Sequence, residues 1–105
     1  MSIWIIILKF KLQDVQLGFE SFELEPHASC RYDYIKVFDG MDQGGSYLGK
    51  YCGSTSPAAL QSHSGALFIE FVSDANSFTA RNGFMLMWQP AGRYHYIDNE
   101  QIICM

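Results

Sequence analysis

Three histidines, His27, His63 and His95, stand in a chain rich in serine and aspartate, the residue types of nucleophilic and acid–base catalysis. Their spacing builds no catalytic constellation. There is no Gly-x-Ser-x-Gly elbow, no His-Glu-x-x-His helix, no Gly-Lys-Ser/Thr phosphate loop and no Cys-x-x-Cys redox pair. His63 falls in a Ser-Gly turn, His95 near the C-terminus and His27 in a loop, so each reads as a surface residue rather than a base or ligand. The expectation is a binding domain, not an enzyme.

The cysteines are Cys30, Cys52 and Cys104, an odd number that leaves one thiol over if two of them bridge. Cys30 and Cys52 both sit at edges of predicted strands and form the expected pair. Closing that loop stabilises a fold by roughly 3 kcal/mol in the chain-entropy picture and belongs to an oxidising compartment. The spacing equally admits two reduced, buried cysteines. Cys104 is next to last, so it makes no prenylation box and is expected to remain a free thiol.

One carboxylate stands out by alternation. In the run Tyr32 to Asp39, Ile35 and Val37 share a strand face, and Asp33 has the same parity. It therefore leans toward the core margin, where an unpaired charge costs several kcal/mol. Backbone N–H groups, Arg31, another cation or a metal ion would each satisfy it.

The elements that must position these residues are short runs rich in Val, Ile, Phe, Tyr and Trp, broken by Gly, Ser, Asp and Pro. Predicted strands cover 3–10, 15–19, 21–25, 32–39, 48–52, 66–73 and 83–89, and no long helical stripe appears. Seven short strands with turns at Asp39-Gly40, Gln43-Gly44-Gly45, Gly53 to Pro57, Ser62 to Gly65 and Asn82-Gly83 predict an all-β antiparallel sandwich. The apolar run Ile3 to Leu8 is too short for a signal core or a membrane span, and reads as a buried strand. The expected organisation is one domain over 1–89 and a tail or linker over 90–105. The 105 residues leave no room for a second domain. Seven Lys and Arg against eleven Asp and Glu give a net charge of −4, the wrong sign for a nucleic-acid binder.

The ordered series Val15-Gln16-Leu17-Gly18-Phe19, Phe22-Glu23-Leu24-Glu25, Cys30-Arg31-Tyr32-Asp33-Tyr34, Asp39-Gly40, Tyr51-Cys52-Gly53, Phe71-Val72-Ser73-Asp74 and Asn82-Gly83-Phe84 resembles the successive signatures of a CUB domain. The resemblance covers most of Trp4 to Gln89 and implies an extracellular, jelly-roll-type β-sandwich. It also implies that the family's first cysteine pair and first strand or two would precede Met1, making this an N-terminally truncated member.

In the calcium-binding branch of that family, the resemblance assigns the metal ligands to Glu25, Asp33 and Asp74, with Asn76 and Ser77 adding oxygens. Ca²⁺ takes six to eight hard oxygen ligands, and converging carboxylates repel one another without a cation. The cofactor implied is Ca²⁺ in a structural role. The partner implied is an extracellular protein whose Lys or Arg meets an acidic edge, with Glu23, Tyr32 and Tyr34 in the contact and Tyr47 and Phe78 nearby, or a second copy of the chain. Neither nucleic acid nor membrane insertion is expected. The alternative within the family is a calcium-independent, spermadhesin-like domain that binds carbohydrate or glycosaminoglycan. The seven cations form no cluster in sequence that favours it.

Overall fold

The computed structural model describes residues 2–74, 83–91 and 101–104, the last of these by backbone alone. Two four-stranded antiparallel sheets form the domain, as the turn-punctuated β pattern predicts. One sheet has the order β1 (Ser2–Lys9), β6 (Ala66–Ser73), β3 (Tyr34–Asp39), β4 (Ser46–Tyr51). The other has the order β5 (Leu60–Gln61), β2 (Val15–Glu23), β7 (Gly83–Pro90), β8 (Gln101–Cys104). Among the described residues no helix is long and apolar enough to cross a membrane.

Strand alternation builds the core. Leu8, Val15, Leu17, Ile35, Val37, Leu67, Ile69 and Leu86 are essentially fully buried between the sheets, and Phe22, Leu24 and Phe84 close one end. Phe71 meets Phe84 edge-on across the sheets, with ring centroids 5.0 Å apart.

The predicted strands 15–19 and 21–25 are one strand. The register of β2 against β7 jumps between Phe19 and Ser21, which marks a β-bulge. Inward positions are therefore Val15 and Leu17 before the bulge, and Phe22 and Leu24 after it. That change of parity is what reads as a strand break in the sequence.

Two strands lie where none is predicted. β5 is only two residues long, held where Ser62 N–H bonds the Val15 carbonyl at 2.8 Å and Ser62 Oγ accepts the Val15 N–H at 2.7 Å. β8 pairs with β7 within the segment expected to be a tail or linker, so that segment contributes an edge strand. Pairing with a neighbour, not local propensity, makes both of them strands.

Candidate metal site

Three sequence-distant carboxylates meet where β2 and β6 end and β3 begins. Glu25 follows β2 by two residues, Asp33 immediately precedes β3, and Asp74 immediately follows β6. One carboxylate oxygen from each lies within 4.8 Å of the other two. Ligands on opposite sides of a calcium ion, each 2.3–2.6 Å from it, stand roughly 4.6–5.2 Å apart, so the cluster has the dimensions of one coordination sphere.

Local structure explains how each carboxylate is held. Leu24, 2% exposed, anchors the end of β2 in the core, and its N–H bonds the Gly53 carbonyl at 2.8 Å. This fixes Glu25 beside the segment that follows β4. Asp33 continues the inward parity of Ile35 and Val37 and is 8% exposed. Its Oδ1 accepts the Asp74 N–H at 3.0 Å, which ties the start of β3 to the end of β6. A backbone N–H thus supplies part of what Asp33 needs, and the adjacent carboxylates leave the rest of its charge in want of a cation.

Glu25 is the more demanding group. It is 5% exposed, and its Oε2 is buried without a hydrogen-bond partner among the described residues. A buried acceptor left without a donor costs on the order of 1–3 kcal/mol, more when charged. Two full negative charges at this separation repel by roughly 3 kcal/mol at an effective dielectric of 20. Hard oxygen donors, an unsatisfied buried oxygen and mutual repulsion together fit a Ca²⁺-sized cation.

The loop between Glu25 and Asp33 is stapled. Cys30 and Cys52 form a disulfide with Cα atoms 5.5 Å apart. Cys30 occupies the left-handed region at φ +50, a conformation uncommon outside glycine. Within the same loop, Cys30 N–H bonds the His27 carbonyl and Ser29 N–H bonds His27 Nδ1. The His27 ring stands edge-on to Tyr32 at 4.6 Å, so this histidine is a structural acceptor in the loop rather than a free solvated one.

Of the residues expected to contact a partner, Tyr32 is 45% exposed, whereas Glu23 and Tyr34 are half-buried. Tyr34 has the opposite parity to Asp33 and sits on the outer face of its sheet. There Lys50 Nζ lies 4.2 Å and Lys36 Nζ 5.7 Å from its ring centroid. Tyr47 is exposed on β4, and its ring is 5.6 Å from that of Phe38. Asn76, Ser77, Phe78 and His95 lie outside the described residues.

A second constellation, not anticipated from the sequence, lies at the opposite ends of β3 and β6. Asp39 Oδ2 accepts the His63 N–H at 2.8 Å, while its Oδ1 accepts the Ser64 N–H at 3.2 Å and the Ser64 hydroxyl at 2.6 Å. Although burial works against the charged form, these hydrogen bonds and the nearby His63 hold the Asp39 carboxyl below the usual aspartate range. The Asp39-Gly40 pair is legible in the sequence as a turn and as one of the ordered motifs, but its hydrogen-bond partners arrive from a distant loop.

A family model described as the CUB domain matches residues 2–88. The chain belongs to the CUB family. Chicken neuropilin-1 is 39% identical to this CUB domain over 85 residues, which is 75% of the chain and 9% of the relative. Mouse tolloid-like protein 2 is 42% identical over 62 residues, 59% of the chain and 6% of the relative. The chain therefore spans less than a tenth of the length of these curated relatives. Among solved structures, the crystal structure of the MASP-1 CUB2 domain bound to Ca²⁺ superposes with a TM-score of 0.68 at 30% identity, covering 83% of this chain and 76% of that one.

Proposed function

We propose that this CUB domain is a non-catalytic, extracellular protein-interaction module that holds one Ca²⁺ with Glu25, Asp33 and Asp74. The observation that carries the proposal is Glu25 Oε2, buried inside a three-carboxylate cluster with no hydrogen-bond partner among the described residues. The Ca²⁺-bound structural relative and the disulfide, a mark of oxidising compartments, support the same reading. Asn76 and Ser77 follow Asp74 closely enough in the chain to add oxygens to the site.

The ion would fix the ends of β2, β3 and β6 relative to one another and neutralise their repulsion. Carboxylate lone pairs left facing solvent would then accept charge-assisted bonds from a partner's Lys or Arg, with Glu23, Tyr32 and Tyr34 in the surrounding surface. Thermal unfolding of the oxidised protein tests the metal. Calcium should raise the midpoint relative to chelator, because a ligand that binds only the native state stabilises it by mass action. Asp74→Ala should abolish the rise. A cooperative melt that is identical in calcium and chelator would sink the calcium reading.

A second reading rests on one observation. Lys9, Lys11 and His63 line an open cavity of about 630 Å³ at the other end of the sandwich, together with Leu12 and Met41. The fold thus sets the sequence neighbours Lys9 and Lys11 beside the distant His63, with Asp14 in the same lining. Retention on heparin at physiological salt, insensitive to chelator and lost in Lys9→Ala/Lys11→Ala, would favour glycosaminoglycan binding over calcium-dependent recognition.

A further inference from the structure

The loop that carries Glu25 and Asp33 is laid along a single splint, the end of β4 and the two residues after it. Leu24, just before Glu25, donates its N–H to the Gly53 carbonyl at 2.8 Å. Lys50 Nζ donates to the Ser29 carbonyl at 3.4 Å, and Ile35, shortly after Asp33, pairs with Tyr51 in the β3–β4 ladder. Between these attachments stands the covalent tie from Cys30 to Cys52, five residues after Glu25 and three before Asp33. Cys30 is held there at φ +50, a conformation that a side chain keeps only where its surroundings impose it. The disulfide therefore constrains how the two carboxylates are spaced and aimed.

Resting on the calcium reading above, we propose that this disulfide and the calcium site form a redox-sensitive switch. The bound ion protects Cys30–Cys52 from reduction, and reduction weakens the hold on the ion. Both cysteines are half-buried. An attacking thiolate must approach one sulfur, so reduction needs the loop to lift from its splint. Lifting it draws Glu25 and Asp33 apart, and an ion ligated by both opposes that motion. The coupling is reciprocal, because two equilibria linked through one structure change each other's free energy equally. Once the tie is cut, Cys30 is released from its left-handed conformation and the carboxylates lose their fixed separation.

The reductant is a dithiol, and the exchange balances. One thiolate of the reagent attacks the Sγ of Cys30 or Cys52 and forms a mixed disulfide, while the other cysteine leaves as a thiolate and takes up a proton. The second thiol of the reagent, deprotonated, then displaces the first cysteine, which is protonated in turn. The protein gains two electrons and two protons, and the dithiol ends as a cyclic disulfide.

Reduction of the oxidised 105-residue chain by excess dithiothreitol at fixed pH, in calcium and in chelator, tests the switch. Quenched alkylation read by mass follows it, since Cys30 and Cys52 together add two alkyl groups per chain as they open. With free calcium at about 100 times its Kd, the rate should fall about a hundredfold, the factor by which mass action suppresses an opening that releases the ion. Asp74→Ala should be reduced at one rate in both buffers. Conversely, Cys30→Ser/Cys52→Ser should bind calcium about tenfold more weakly than the parent by titration calorimetry. Ser62→Ala removes a bond to Val15 at the far end of β2 from Glu25, so a local opening predicts that it is reduced no faster than the parent in chelator. Equal parent rates in calcium and chelator overturn the switch but leave the calcium reading standing if calcium still raises the unfolding midpoint. Equal rates with no rise in midpoint overturn both. Reduction of Ser62→Ala that speeds up in proportion to its lost stability also overturns the switch, because the disulfide would then open only by global unfolding. The parent comparison holds whether or not Ser62→Ala folds.

Discussion

Glu25 carries two opposite consequences depending on what accompanies it. Without a cation, its Oε2 is buried beside two other carboxylates with no hydrogen-bond partner among the described residues, and with one it becomes a ligand. Glu25→Gln should therefore be more stable than the parent in chelator, by on the order of 1 kcal/mol or more, and less stable than the parent in saturating calcium. Denaturant titrations of both proteins in both buffers check this crossing. A variant weaker than the parent in both buffers would point to a role for Glu25 other than holding a cation. Asp39 makes a separate prediction about acid. Its folded-state value is depressed, so its contribution is fully present above the unfolded value near 3.8 and is lost as pH falls through the lower folded value. Asp39→Asn should flatten the acid limb of the stability curve, and the flattening should be the same with and without calcium, because Asp39 sits at the far end of β3 from Asp33.

At the level of elements, the disulfide and β5 each have a defined energetic role. Cys30→Ser/Cys52→Ser removes a cross-link that closes a loop with a sequence separation of 22, worth roughly 3 kcal/mol in the chain-entropy model. The same change frees the segment that holds Glu25 and Asp33, so the calcium-induced rise in unfolding midpoint should shrink with it. Ser62→Ala strips the acceptor from a buried Val15 N–H and should cost about 1–3 kcal/mol, read from the denaturation midpoint. Gly45→Ala would press a Cβ against the Asp39 backbone and spoil the β3–β4 turn. The legibility of these elements differed with the range of the forces that make them. Alternation along Ile35 and Val37 exposed β3 and the inward lean of Asp33, because a period of two is a local property of the chain. The bulge in β2 broke that period and split one strand into two. β5 and β8 exist through pairing with distant strands and left no local trace. At the site, Asp33 showed itself by parity, but its bond to the Asp74 N–H spans 41 positions, and only the resemblance of the ordered motifs linked the two beforehand.

On the scale of the whole molecule, the sandwich has two chemically distinct poles. The carboxylate cluster lies at one end of β3 and β6, and the cavity lined by Lys9, Lys11 and His63 lies at the other. Calcium should slow amide hydrogen exchange at Leu24, Asp33 and Asp74, and leave Lys9 to Asp14 and His63 to Gly65 unchanged, since only the first pole gains stability against local opening. Uniform slowing across both poles would mean that the ion acts on global stability alone.

The pairing of Ser2 with Ser73 and of Lys9 with Ala66 also dictates an order of events during synthesis. β1 cannot close this ladder until β6, made later, has left the ribosome. At about 5–20 residues per second, Ile3 to Leu8 waits for some 3–13 seconds as a bare β-branched segment. Such segments are prone to intermolecular association, and contacts this distant in sequence make for slow folding. This ladder is therefore most vulnerable between the synthesis of its two strands, and productive folding will depend on how well Ile3 to Leu8 is shielded until Ala66 to Ser73 arrives.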